Sequence, residues 1–170
     1  MNEAMKNLLT RRSVRSYADR PVPEDALRAI LQAGAYAPTG MGTQAWKMVA
    51  LHTPQAMDEY RSLCQQQLGR FPYYDAPAIA LVFVRKDVVA PVMDGSAALE
   101  NIMLAAASLG IGSCWIHATS ALFATEAGRQ FQKKLGIPDD YQCIDGCALG
   151  YAQGAWPEAK PRAEDVILLR

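Results

Sequence analysis

Five cationic side chains in two short clusters are the groups best suited to chemistry in this chain: Arg11, Arg12 and Arg15 near the start, Lys160 and Arg162 near the end. The first cluster, Arg11-Arg12-Ser13-Val14-Arg15-Ser16, mixes guanidinium forks with hydroxyl donors, the combination that grips a phosphate monoester by charge-assisted hydrogen bonds. Cations set at opposite ends of a small domain can converge on one anion. Taken alone the cluster reads first as a solvated basic turn, as most charge runs do, and the rest of the chain moves the reading toward phosphate.

The wider charge balance keeps the basic clusters local. Lys plus Arg and Asp plus Glu both number 17, which argues against a broad electrostatic surface for nucleic acid or an anionic membrane. With 170 residues, 51% apolar and 20% charged, the chain fits a single folded domain over 1–170 with a substantial core. No apolar run reaches the ~18–20 residues of a membrane span, and the N-terminus lacks the apolar stretch of a signal peptide. A cytoplasmic location is the expectation. Cys64, Cys114, Cys143 and Cys147 fit no disulfide framework. If Cys143 and Cys147 share a strand they point the same way roughly 13 Å apart, too far to hold one ion, so buried thiols are expected.

The elements that must position these groups follow from the pattern. Helices are expected over 3–9, after Pro21-Val22-Pro23, over about 54–68, from Asp94 to Leu109, and near 125–135. Ala37 to Gln44 reads as a loop by its Pro and Gly content. Strands are expected at 46–52, 78–84, 113–117 and 141–151, the last broken by Gly146 and Gly150. The small and apolar residues from Ala97 to Leu109 surround much of their helix, as on an element buried on several sides. Val166-Ile167-Leu168-Leu169 is apolar enough to need a partner. There is no regular βαβ rhythm, and Gly40-Met41-Gly42 precedes a strand where a dinucleotide motif would follow one. The fold class is therefore α+β, a single sheet flanked by helices.

Taken in order, these segments resemble the nitroreductase family of FMN-dependent oxidoreductases over nearly the whole chain. Arg11-Arg12-Ser13-Val14-Arg15 is similar to its N-terminal phosphate motif. Pro38-Thr39-Gly40 through Gln44-Ala45-Trp46 corresponds to its Pro-Ser-rich loop ending Gln-Pro-Trp. Asn101 to Ala106, Leu109 to Ile116, and Ala148-Leu149-Gly150-Tyr151 with Lys160-Pro161-Arg162 match its central helix, flavin-side strand and closing motif. The resemblance implies a mostly antiparallel sheet and a homodimer with FMN sites at the interface, in which the C-terminal strand crosses to the partner.

The same resemblance assigns Arg11, Ser13, Arg15, Lys160 and Arg162 to the ribityl phosphate and its surroundings, with Arg12 contributing mostly main chain. Pro38, Thr39 and Gly40 would come from the other subunit against the ring, and Gln44 belongs to the same cofactor-binding loop. Trp115, Ile116 and His117 would lie along the flavin, a main-chain N–H there donating to N5. Arg70 is the basic residue expected near the pyrimidine edge. Two departures bear on this set: Gly42 stands where the family usually has Asn, and Ala45 replaces the Pro of Gln-Pro-Trp, removing an amide donor and a stiff link.

Bland readings accompany the sharp ones. Trp46 and Trp115 are large buried anchors first, His52 is structural, and His117 serves either the flavin and substrate or a local hydrogen bond. The expected activity is ping-pong reduction of nitroaromatics, quinones or similar small-molecule acceptors by NAD(P)H through FMN, needing no side-chain catalyst and no metal because the redox chemistry belongs to the cofactor. The alternatives are a flavin-binding protein with little turnover and a specialised flavin enzyme such as a reductive dehalogenase.

Overall fold

The computed structural model describes residues 1–163 and 167. Four strands, β1 (Trp46–Leu51), β2 (Ala78–Arg85), β3 (Gly112–Ile116) and β4 (Tyr141–Gly150), form one sheet in the order β1-β2-β4-β3, every neighbouring pair antiparallel. Six helices surround it: α1 (Glu3–Thr10), α2 (Glu24–Gly34), α3 (Pro54–Leu68), α4 (Pro91–Ser108), α5 (Ala118–Ala124) and α6 (Glu126–Lys134). The expected α+β class, a largely antiparallel sheet flanked by helices, is what the chain adopts. The crossing C-terminal strand is a different matter, because Val166, Leu168 and Leu169 lie outside the described residues.

The central strand shows why the sheet is covered twice. In β2, Ile79, Leu81 and Phe83 face a cluster that includes Tyr60, Leu63, Leu122, Phe123 and Phe131 from α3, α5 and α6. Ala78, Ala80, Val82 and Val84 face Leu27, Ile30, Leu99 and Ile102 from α2 and α4. A strand buried on both faces reads as an unbroken apolar run, which is how Ala78 to Val84 reads. The α4 helix sits unusually close to β4, since a Cβ on Gly95 would come within 2.4 Å of Ile144 Cγ1.

Three expectations are corrected. Gly146 and Gly150 do not break β4, which runs ten residues without interruption; at Gly146 the missing Cβ instead admits Ala80 O, 2.8 Å from where that atom would stand. The short helix α5 was not expected, because Ala118 to Ala124 carries no apolar period long enough to announce it. Cys143 and Cys147 do not point the same way. The pairing of β2 with β4 skips Ile144 between Val82↔Asp145 and Phe83↔Cys143, and such a bulge reverses the alternation beyond it. Cys143 therefore packs on the α3–α5–α6 side and Cys147 on the α2–α4 side. All four cysteines are free and buried. Burial pushes the Cys64 and Cys147 thiols up to about 12.

A buried chain of hydroxyls fixes the ground beneath the sheet's β3 end. Thr119 Oγ1 donates to Ile116 O at 2.5 Å, and so accepts from Tyr73 at 2.6 Å, which in turn takes the Tyr60 hydroxyl at 2.8 Å. Both tyrosines are fully buried, and each hydroxyl in the row has a partner, as buried polar groups require. The chain ties α3, the loop before β2 and the start of α5 into one unit.

Candidate functional site

Two segments from opposite ends of the chain lie side by side along the exposed edge of β3. The segment after α1 joins the sheet through the Ser13↔Ser113 bridge and the Val14 N–H to Ser113 O bond of 2.9 Å. The segment after β4 then runs antiparallel to it: Ala18 N–H donates to Tyr151 O at 2.9 Å, Gln153 N–H to Ser16 O at 3.0 Å, and Trp156 Nε1–H to Thr10 O at 3.1 Å. A cavity of about 300 Å³ between them is lined by Ser13, Arg15, Ser16, Gln153 and Pro157 among others. The first basic cluster thus lies beside the segment that leads toward the second. Lys160 and Arg162 lie three and five residues beyond Pro157 and are exposed.

Along the first segment and at Ser113, which it bridges, donors are unspent. Arg11 reaches Glu100 through Nε at 3.7 Å, while its buried Nη1 has no hydrogen-bond partner among the described residues. Ser113 Oγ is likewise buried and unpartnered. A buried donor without an acceptor costs about 1–3 kcal/mol, so these two atoms ask for a ligand. Arg12 is partly committed: its Nη1 donates to Leu9 O and Arg11 O, at 2.8 and 2.7 Å, closing the end of α1, while its buried Nε has no partner among the described residues. Arg15 is raised above the ordinary arginine value, first by its hydrogen bond with Tyr74 and then by the nearby Cys114. The Cys114 thiol itself is raised by burial, with Arg15 and Arg11 pulling the other way. Both guanidinium groups therefore flank one point on β3.

Tyr74 links this cavity to a second. About 470 Å³ is enclosed by Arg70, Phe71, Pro72, Tyr74, Trp115, Ile116, His117 and Ala118, which places Arg70 opposite the Trp115 to His117 run. Tyr74 and Asp75 hold φ of 55° and 54°, a left-handed backbone that ordinary residues avoid and that tends to mark functional turns. The buried Tyr73 between them and the core is what holds it.

The loop from Thr39 to Gln44 lies elsewhere in the chain, at the start of α4. Gly40 N–H donates to Asp94 Oδ1 at 2.8 Å and Gln44 N–H to Thr39 Oγ1 at 3.2 Å. Its φ is positive at Met41 and Gln44 as well as at Gly42. Pro38, Thr39, Gly40 and Gln44 line neither cavity described above. A larger space of about 610 Å³ beside α6 has basic residues that are already engaged, Lys133 with Asp139, Arg129 with Glu126 and Lys86 with the Asp139 carbonyl. It is no match for an anion.

The comparison with known proteins decides the family. A model described as the nitroreductase family matches residues 8–78 and 66–151. The chain belongs to the nitroreductase family. It is 31% identical over 89% of its length to a protein of Archaeoglobus fulgidus named as an NADH dehydrogenase/NAD(P)H nitroreductase, covering 86% of that relative. Its fold superposes on a nitroreductase with bound FMN from Bacteroides fragilis with a TM-score of 0.91 and 30% identity, covering all of both chains. A second nitroreductase with bound FMN, from Desulfitobacterium hafniense, gives 0.85 at 27% identity, again over both whole chains.

Two residues that the motifs did not single out stand beside the second cavity: Tyr74 lines it, and Asp145 bonds Trp115 and His117 of its wall. Asp145 carried a visible signal, a lone carboxylate in an otherwise apolar strand. Tyr74 carried none, since its role depends on a backbone conformation that its sequence neighbourhood does not demand.

Proposed function

We propose that this chain is an FMN-dependent NAD(P)H oxidoreductase, one domain over 1–170, that acts as a cytoplasmic homodimer. It reduces nitroaromatics, quinones and similar electron-poor small molecules, with NAD(P)H and acceptor using one place in turn. The observation that carries this reading is the meeting of the Arg11–Ser16 and Gln153–Pro157 segments around donors that have nothing to bind. A phosphate ester fits them: Arg11 Nη1, Ser113 Oγ, the Ser13 hydroxyl and the Arg15 guanidinium are all donors, and charge-assisted bonds to phosphate are among the strongest available. Lys160 and Arg162 extend the tail that already borders the cavity.

The residues divide the labour. Arg11, Ser13, Arg15 and Ser113 would hold the phosphate of FMN, with Lys160 and Arg162 adding charge from the tail. Trp115, Ile116 and His117 would form the wall beside the ring, with Arg70 facing them across the cavity. The Thr39–Gln44 loop, which in one chain stays away from both cavities, is supplied to the site by the second copy. Bound flavin supplies the two-electron chemistry. The chain's part is to bind, orient and exclude water, and the row Tyr60, Tyr73, Thr119 keeps the wall rigid while it does so.

An absorbance spectrum of the purified protein tests the core of the reading. Yellow protein whose flavin bands bleach on adding NAD(P)H, and return with a quinone, is the expected result. Colourless protein that takes up no FMN in a titration would end the proposal; bound FMN that NAD(P)H cannot bleach would leave only a flavin-binding protein.

A further inference from the structure

The Asp145 carboxylate is 5% exposed and accepts three hydrogen bonds. Trp115 Nε1–H and His117 Nδ1 meet Oδ2 at 2.8 and 3.0 Å, and Ser120 N–H meets Oδ1 at 3.2 Å. A carboxylate oxygen accepts, so Nδ1 is the donor of the His117 pair. Its charge is felt at Cys143, whose thiol is raised by its own burial and then by Asp145. The His117 side chain is the opposite case, 93% exposed yet tethered at one nitrogen. With Nδ1 held by Asp145, Nε2 is left open on the rim of the cavity that Arg70, Tyr74 and Trp115 also line.

We propose that His117 is a catalytic proton donor to the acceptor and that Asp145 is the positioning residue that fixes its ring. The proposal rests on the reading above that Trp115, Ile116 and His117 stand beside the flavin ring, and adds that the acceptor comes to the same wall. Reduction of a quinone by NAD(P)H draws two electrons and one proton from the nicotinamide and needs one further proton. His117 supplies that proton. The Nε2–H bond breaks, an O–H bond forms on the acceptor, and the bonding pair stays on Nε2. The neutral imidazole then recovers a proton from bulk water, to which it is open. Asp145 holds the ring through Nδ1 from the β4 side, while Arg70, on the loop after α3, attracts the developing negative oxygen. Tyr74 is the remaining titratable group on that wall. The β3–β4 register makes the pair possible, since Gly146 lies opposite Ile116 and Asp145 therefore falls at the end of β3.

Two measurements test this on the full chain. The first reads the imidazole itself by nitrogen NMR, with and without FMN. The chain has two histidines, so His52→Gln assigns the spectrum. The neutral His117 ring should carry its proton on Nδ1, and Asp145→Asn, which puts an N–H among donors, should move it toward Nε2. The second is stopped-flow. His117→Gln should slow oxidation of the reduced protein by a quinone at least ~10-fold more than its reduction by NAD(P)H, a floor for general acid catalysis. His52→Gln should alter neither step. A wild-type ring protonated on Nε2, or the two steps slowed alike by His117→Gln, would overturn the proposal. Failure of the wild type to bind FMN instead sinks the functional reading, and the NMR result then decides the His117–Asp145 pair by itself.

Discussion

At the scale of single residues, the site is marked by donors that folding leaves unsatisfied. Arg11 is the clearest, with a buried Nη1 and a single long contact to Glu100. A guanidinium in that position gains on binding what an exposed lysine would lose to screening. Arg11→Ala should weaken FMN binding by about 1.5–3 kcal/mol, the scale of a hydrogen bond to a charged group. Arg11→Lys should recover only part of it, because a point charge lacks the fork. Equilibrium titration of flavin fluorescence measures both; unchanged affinity in the alanine variant would place the phosphate elsewhere. Arg12, two bonds into the end of α1, shows the limit of reading such clusters. The sequence offers adjacent arginines, and only the fold says which one is spent on its own helix.

Between elements, the contact that matters most for the site is the one where Gly112 lets Val14 approach. A Cβ there would stand 2.7 Å from Val14 Cγ2 and 2.8 Å from Val14 Cβ. The Ser13 segment lies against β3 only because that atom is missing. Gly112→Ala should therefore cost about 1–3 kcal/mol in stability, the usual penalty for overpacking, and should weaken FMN binding as Ser13 and Arg15 are pushed outward. Adding Val14→Ala removes the clash, so the double variant should be less damaged than the two single losses combined. Urea unfolding and flavin titration read the two effects, and purely additive losses would show that the contact is not the cause. Elements of this kind were legible where the pattern was strong: α3, β1 and β2 fall within a residue or so of their expected limits, and α2 begins right after Pro23 as expected. The bulge at Ile144 and the helix α5 were not. One depends on an insertion in pairing that no single strand displays, the other on a hydrogen bond to Asp145, 25 residues away in sequence.

For the whole molecule, the unanswered surface is apolar and lies on α1 and the ends of α4. None of the eight residues of α1 is buried, and Met5, Leu8 and Leu9 are 47%, 53% and 57% exposed. A helix of that length does not hold in water by itself. Its ties in one chain are few, chiefly Asn7 Nδ2–H to Leu104 O at 2.8 Å and the Arg12 closure at its end. Val92, Met93 and Leu109, at the two ends of α4, are exposed as well, and exposed apolar side chains in such number point to an interaction face. A second copy covers it in the proposed homodimer, which would also carry the Thr39–Gln44 loop to the cavity it misses in one chain. Sedimentation should then give twice the 18.5 kDa chain mass at micromolar concentration. Leu8→Glu with Leu9→Glu places two charges on the face and leaves no core contact broken, since neither leucine is buried. That variant should sediment as a folded monomer and lose FMN in parallel, because half of each site would leave with the partner. A wild type that is monomeric at every concentration, or a monomeric variant that keeps its flavin, would show instead that each chain builds its site alone.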